Sequence, residues 1–200
     1  MSSRNLRSKS RPSCGRWLLL LCFALASLRA ADTQVNVRAI SDAIRSGRFQ
    51  EAVESAEAAL QSNPRDVRLA TLRAIALSKL DKSAEALAGY RQALAIDPHY
   101  VPALAGISEL EYPAATAAAT RDVDALLALR PGDETAHAMR AYIAWKHGDC
   151  AVAVEHFSQS QQAIAQQPSA LKEFSYCLEK MGNTPQAVST LREAIVVSPD

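Results

Sequence analysis

The chain has 200 residues, of which 48% are hydrophobic, 6% aromatic and 22% charged. That size and apolar content suffice for one domain with a buried core and exclude a disordered polyelectrolyte. The formal charge of +1 hides an asymmetry, because removing the six basic residues of the first thirty from a total of 22 leaves 16 against 21 acidic ones, a balance of −5; a remainder of that sign has no global field to attract nucleic acid.

The six basic residues are Arg4, Arg7, Lys9, Arg11, Arg16 and Arg29, and no acid accompanies them. Between Trp17 and Leu28 lie twelve mostly apolar residues without charge, followed by the small Ala30 and Ala31. A basic start, a short apolar run and a small-residue exit describe a secretory signal over residues 1–30, cut after Ala30. As a helix the run rises about 18 Å, short of a hydrocarbon core of roughly 30 Å. The expected location is therefore periplasmic or secreted. The alternative is an uncleaved anchor, the one route by which this chain would meet a membrane. Cys22 follows Leu19-Leu20-Leu21, where a lipoprotein signal needs small residues, and is read as part of the apolar run.

Beyond the leader the chain is rich in Ala, Leu, Glu, Gln, Arg and Lys, the good helix formers, and no stretch sustains β-type alternation. Prolines follow helical text at Pro64, Pro98, Pro131, Pro168 and Pro199, spaced by 34, 33, 37 and 31 residues. Twelve residues before four of them stand Ala52, Ala86, Ala119 and Ala187; the fourth unit supplies Ala153 and extra residues before Pro168. A period near 34 fits two short helices joined by a turn. Gly47, Gly148 and Gly182 fall midway, where a left-handed residue ends the first helix. Thr184 as N-cap and Pro185 as first helical residue predict the start of the last helix. The recurring Ala lets two helices approach closely. A larger residue four positions on, Tyr90, Phe157 or Leu191, shares its face, and the proline then ends the helix.

This pattern resembles the tetratricopeptide repeat family over Thr33 to Asp200, most clearly in Glu85-Ala86-Leu87-Ala88-Gly89-Tyr90-Arg91-Gln92-Ala93-Leu94-Ala95-Ile96-Asp97-Pro98. The family's first-helix signature is approached only in the fifth unit, by Leu171, Phe174, Ser175 and Leu178; its crossing glycine is replaced by Ile40, Ala74, Ser108, Ala141 and Ser175. The resemblance implies an all-α, right-handed α-solenoid of about five helix-turn-helix repeats at 33–66, 67–100, 101–133, 134–168 and 169–200, with first helices lining a concave face. The last repeat ends where a further one would begin, so the chain is expected either to continue or to dock its final hairpin on something.

Stepping along the first helices away from their apolar stripe places Arg38 and Arg45, then Arg68, Ile75 and Lys79, then Glu109 and Tyr112, then Met139, Tyr142 and Trp145, then Lys172 and Tyr176 on the concave side. From these, Tyr142, Trp145, Tyr176, Met139, Tyr112, Arg68 and Lys79 are the candidate ligand-binding residues. Trp and Tyr suit binding surfaces because they bury large area with one polar tip; the same rings could equally fill gaps between repeats. Family members that grip a C-terminal carboxylate use asparagines that the equivalent positions here lack.

No catalytic set assembles. There is no Gly-rich phosphate loop, no His-Glu-x-x-His and no nucleophile elbow, and Glu109 and Glu111 point to different sides of a helix. His147, Cys150, His156 and Cys177 fit no zinc template, so neither metal nor cofactor is expected. Cys150 opens one helix and Cys177 closes the next, antiparallel one. In an oxidising compartment they can pair if both side chains face inward; otherwise they are two separate thiols.

The sequence thus points to an exported scaffold that binds a protein or peptide in its concave groove rather than to an enzyme. Two other readings stay open: the docking arm of an enzyme whose catalytic domain lies beyond Asp200, and a structural assembly subunit. The small alanines carry a direct test. Ala86→Leu and Ala187→Leu are each expected to overpack a helix crossing at a cost of about 1–3 kcal/mol, read as a lowered midpoint of chemical unfolding.

Overall fold

The structure is a computed structural model and describes residues 36–198; the leader at 1–30 lies outside them. Helix α1 spans 36–45. It is followed by α2 (Phe49–Ser62), α3 (Val67–Lys79), α4 (Ser83–Ile96), α5 (Val101–Glu111) and a 3₁₀ turn at Tyr112–Ala114. Then come α6 (Ala117–Leu129), α7 (Glu134–Lys146), α8 (Cys150–Ser158), the short α9 (Gln161–Ile164), α10 (Pro168–Lys180) and α11 (Thr184–Val197). Among the described residues there is no strand, and no helix is long and apolar enough to cross a membrane.

Consecutive helices pack as antiparallel hairpins, and the hairpins stack into an α-solenoid. Helix α3 lies on α4, α7 on α8 and α10 on α11, while α2–α3, α4–α5, α6–α7 and α8–α10 join one hairpin to the next. The first helices also touch one another, α3 with α5, α5 with α7 and α7 with α10. They therefore share one side of the stack, which is the side that can form a groove. Most helices are 13 or 14 residues long. Helices of that length are marginal alone in water, so each depends on burying its stripe against its neighbours.

The turns explain where the helices stop. Gly47, Gly148 and Gly182 take φ of 73°, 76° and 80°, the left-handed conformation expected of them. The second and third hairpins lack this glycine and put Asp81 (φ 59°) and Ala115 (φ 50°) in the same region. Two local expectations shift. Pro168 begins α10 instead of ending the helix before it, because a proline at the first helical position loses no hydrogen bond. The cap of α11 is Asn183, whose side chain accepts from the Gln186 N–H, so Thr184 and Pro185 are its first two helical residues.

The predicted crossing positions are closed. Ala52, Ala86, Ala119 and Ala153 are fully buried and Ala187 is 5% exposed. At the α3–α4 crossing a Cβ on Gly89 would stand 2.9 Å from the Ala74 Cβ. Between hairpins, a Cβ on Gly106 would stand 2.2 Å from the Tyr90 ring, so the ring occupies the space that glycine leaves open. Burial pushes the Tyr90 phenol up to about 12. Phe157, in the same repeat position as Tyr90, packs on Phe174 with ring centroids 5.3 Å apart. Leu191 departs from this expectation: it is 42% exposed and lies with Val188 and Ile195 on an open face of α11. Tyr90 and Phe157 meet the first helix of a following hairpin, and no described helix follows α11.

Ion pairs repeat the stacking at the surface. Arg73 on α3 reaches Glu57 on α2 at 2.8 Å, and Arg140 on α7 reaches Asp124 on α6 at the same distance. These two pairs occupy equivalent positions of their repeats. Arg91 on α4 pairs with Glu111 on α5.

The fourth hairpin is irregular. Helix α8 has only nine residues, and α9 turns across the end of the hairpin. The Glu134 carboxylate, at the start of α7, accepts from the Gln162 and Ala163 N–H groups at 2.8 and 3.0 Å, satisfying the first turn of α9. Cys150 and Cys177 form a disulfide between the start of α8 and the end of α10, with Cα atoms 4.9 Å apart. Their side chains converge because the two helices run in opposite directions and Cys177 is fully buried. The bridge closes a loop of 27 residues, and replacing both cysteines with Ala is expected to cost about 2–4 kcal/mol. The protein without its first 30 residues should titrate no thiol under denaturing conditions before reduction and two afterwards.

Candidate binding groove

The last turns of α7, the middle of α10 and the 3₁₀ turn after α5 bring four aromatic side chains together. Tyr142 and Trp145 lie three residues apart on α7, one turn along the same face, with ring centroids 5.7 Å apart. Tyr112 meets Tyr142 edge-on at 5.4 Å and 83°, a favourable arrangement of aromatic quadrupoles. Tyr176 stands on α10, half exposed. It faces Trp145 across a hollow of about 520 Å³ that is also lined by Lys146, Gly148, Lys172 and Glu173. A second, narrower hollow of about 160 Å³ adjoins it, walled by Tyr112, Met139, Tyr142, Phe157 and Glu173 among others.

The first hollow has the size of an ordinary ligand pocket; the second has room for one side chain. Glu173 lines both. It was passed over in the sequence although Lys172 beside it was not; the available signal was its spacing of three from Tyr176, which puts both on one face of α10. Burial pushes the Glu173 carboxyl up to about 7, against a smaller opposing pull from the Lys146 ammonium. Two cations are held near the rings of the wider hollow. The Lys146 Nζ lies 5.8 Å from the Trp145 centroid and the Lys180 Nζ 5.4 Å from that of Tyr176, within cation–π range.

The other candidates fall elsewhere. Met139 is 6% exposed and belongs to the core with Val123 and Ile143, showing only an edge to the narrow hollow. Arg68 is engaged at the start of α3, where its guanidinium meets the Asp66 carboxylate at 2.7 Å. Burial alone would raise Asp66, but hydrogen bonds from Arg68 and from the Arg68 and Leu69 N–H groups hold it below its usual range. Arg68 thus braces an N-cap. Lys79 is exposed in the last turn of α3, and neither basic residue lines the aromatic hollows. Arg45 pairs with Asp42 on α1, Ile75 packs against the core, and Arg38 and Glu109 are exposed.

The cysteine and histidine cluster is structural. The disulfide takes both sulfurs, and the His147 Nε2 lies 2.7 Å from the Ala115 carbonyl oxygen. His137, unremarked in the sequence, brings its Nδ1 within 2.8 Å of the His156 Nδ1 and its Nε2 within 2.9 Å of the Pro131 oxygen. The carbonyl can only accept, so His137 donates from Nε2 to Pro131. Burial, with His137 and Arg140 nearby, lowers the His156 pKa. Among the described residues no group of three or more His, Cys, Asp and Glu is placed to hold a metal ion.

The class that the fold defines is the α-solenoid of stacked helix-turn-helix units. Residues 37–101 match the family model described as tetratricopeptide repeat. The solved structures of MamA share the fold. One MamA crystal structure is 14% identical, with a TM-score of 0.68 over 84% of this chain and 92% of its own. The 41-to-end segment of MamA from Desulfovibrio magneticus RS-1 is 12% identical, with a TM-score of 0.70 over 84% of this chain and 95% of its own. No curated protein sequence matches the chain.

The Glu173 environment has a measurable consequence. Its folded pKa, near 7, exceeds that of an unfolded glutamate, so the folded state holds the proton more tightly. The stability this lends below the unfolded pKa of about 4.3 is lost as pH rises through 7. His156 runs the other way, losing stability as pH falls below about 6.5. The difference between parent and Glu173→Gln cancels the histidine. The variant is expected to melt above the parent at pH 8, with the gap closing toward pH 4.5.

Proposed function

We propose that this chain is an exported scaffold that holds a segment of a partner protein in the groove between α7 and α10. The observation that carries this reading is the pair of adjoining hollows lined by Tyr112, Tyr142, Trp145, Tyr176 and Glu173. Three of these rings are half-buried and the fourth is half exposed, so they are anchored in the fold yet present a face to the groove. Rings held in this way bind without a large loss of side-chain freedom, which suits them to be anchors.

Export is supported from two directions. The basic, then apolar, then small-residue leader has the form of a secretory signal, and a disulfide such as Cys150–Cys177 persists in an oxidising compartment. Periplasmic or secreted location is the reading that accommodates both. The role is one of holding and presenting rather than of chemistry.

Trp145→Ala combined with Tyr142→Ala is expected to abolish peptide capture while far-UV circular dichroism stays helical. Trp145 is the one tryptophan beyond the leader, so quenching of its fluorescence reports occupancy of the groove in the parent. Retained affinity in the double variant would move the binding surface away from these rings.

A further inference from the structure

We propose that Glu173 sets the specificity of this groove by seating a basic side chain, lysine or arginine, of the bound segment. The inference rests on the groove reading above and adds the chemistry of its ligand.

Glu173 stands where the two hollows meet. Its carboxyl has no hydrogen-bond or ion-pair partner among the described residues; the charge that acts on it is the Lys146 ammonium. Three other partly buried acids are paired, Asp66 with Arg68, Glu111 with Arg91 and Glu134 with two backbone N–H groups, while Asp122 lies against the Glu111 carboxylate and not in a hollow. A half-buried acid facing an open hollow without such a partner is electrostatically incomplete, and a cation from outside completes it with a charge-assisted hydrogen bond.

The surroundings select the shape of that cation. In the narrow hollow Glu173 is the sole charged lining residue; Tyr112, Tyr142, Ala138, Met139 and Phe157 form its apolar side, and Thr135, Gln167 and Ser169 its uncharged polar side. Its volume of about 160 Å³ fits one long side chain rather than a run of backbone. Aromatic faces attract a cationic head, and the apolar walls take the methylene stem that lysine and arginine carry behind it. The charges on the packed elements divide cleanly. Helix α7 contributes Lys146 and α10 contributes Lys172, and both line only the wider hollow. The 3₁₀ turn and α8 contribute Tyr112 and Phe157 to the narrow one, and the α9–α10 connection contributes the uncharged Gln167. A basic residue entering from the narrow side therefore reaches the carboxylate without passing a like charge.

With its pKa near 7 the carboxyl is about half protonated at pH 7, so seating a cation releases protons from that fraction. Affinity for a basic peptide then rises between pH 6 and 8. A residue with only a structural role would not produce that trend.

The test uses the protein without its first 30 residues, its disulfide intact, and a synthetic library of randomised nonapeptides as probe. The bound fraction is expected to be enriched in Lys or Arg at one position. A peptide drawn from it, titrated by Trp145 fluorescence, is expected to bind Glu173→Gln about tenfold more weakly, the size of one charge-assisted hydrogen bond. The rise in affinity from pH 6 to 8 should vanish in that variant, and Glu173→Asp should restore part of it. Capture without basic enrichment, enrichment in acidic residues that follows Lys146 and Lys172, or unchanged affinity in Glu173→Gln would each overturn the assignment and leave the groove standing. A library that yields no bound fraction overturns the groove reading and this inference with it.

Discussion

The structure depends on how closely two short helices can approach. Each is too short to persist alone in water, so its free energy comes from contact with its partner and with the next hairpin. That contact requires small residues where the axes cross. Ala74 against Gly89 is one such place, with no room for a further carbon, and Gly106 beneath the Tyr90 ring is another. The first crossing closes a hairpin and the second joins two hairpins. Repeating this pair of contacts along the chain generates a solenoid, and a solenoid necessarily places its first helices on one side.

The candidate groove lies where this regularity is broken. The fourth hairpin has a shortened second helix, a four-residue helix capped by Glu134 and a longer path to the next repeat. It is also where the disulfide ties α8 to α10. The covalent bridge and the Phe157–Phe174 contact hold α10 against the fourth hairpin from behind. The front of the same interface is left lined by Trp145, Tyr142 and Tyr176. Anchoring one side of an interface leaves the other free to carry a pocket without loosening the stack, because stability in such proteins is a sum over neighbouring contacts.

Charge follows the same division of labour. Along most of the stack acids meet bases across consecutive hairpins, as at Glu57–Arg73 and Asp124–Arg140. Such exposed pairs contribute little individually, but each sets an acid against a base at a joint between hairpins. In the groove Glu173 has no such base paired with it and sits among rings. A half-buried acid lowers stability at neutral pH, and groups of that kind concentrate at functional sites.

The sequence by itself determined the repeat. Proline spacing, the recurring alanine and the mid-repeat glycine are local requirements: a left-handed turn, a close crossing and a helix start or stop. Each is met by a residue type that can be read without knowing its neighbours. It also placed Tyr142, Trp145 and Tyr176 on the first helices, since a face of a helix follows from spacing. What only the tertiary structure decided are the matters that depend on packing between distant segments. Pro168 starts α10 rather than ending the helix before it, after the extra turn of α9. Met139 turns inward to the core, Arg68 to Asp66, and Leu191 outward on a face that no described helix covers. Cys150 and Cys177 could be named as neighbours, but only the closeness of their Cα atoms made them a bond. Glu173 looks like any exposed helical glutamate in the sequence; its burial among rings contributed by three elements is a property of their arrangement in space.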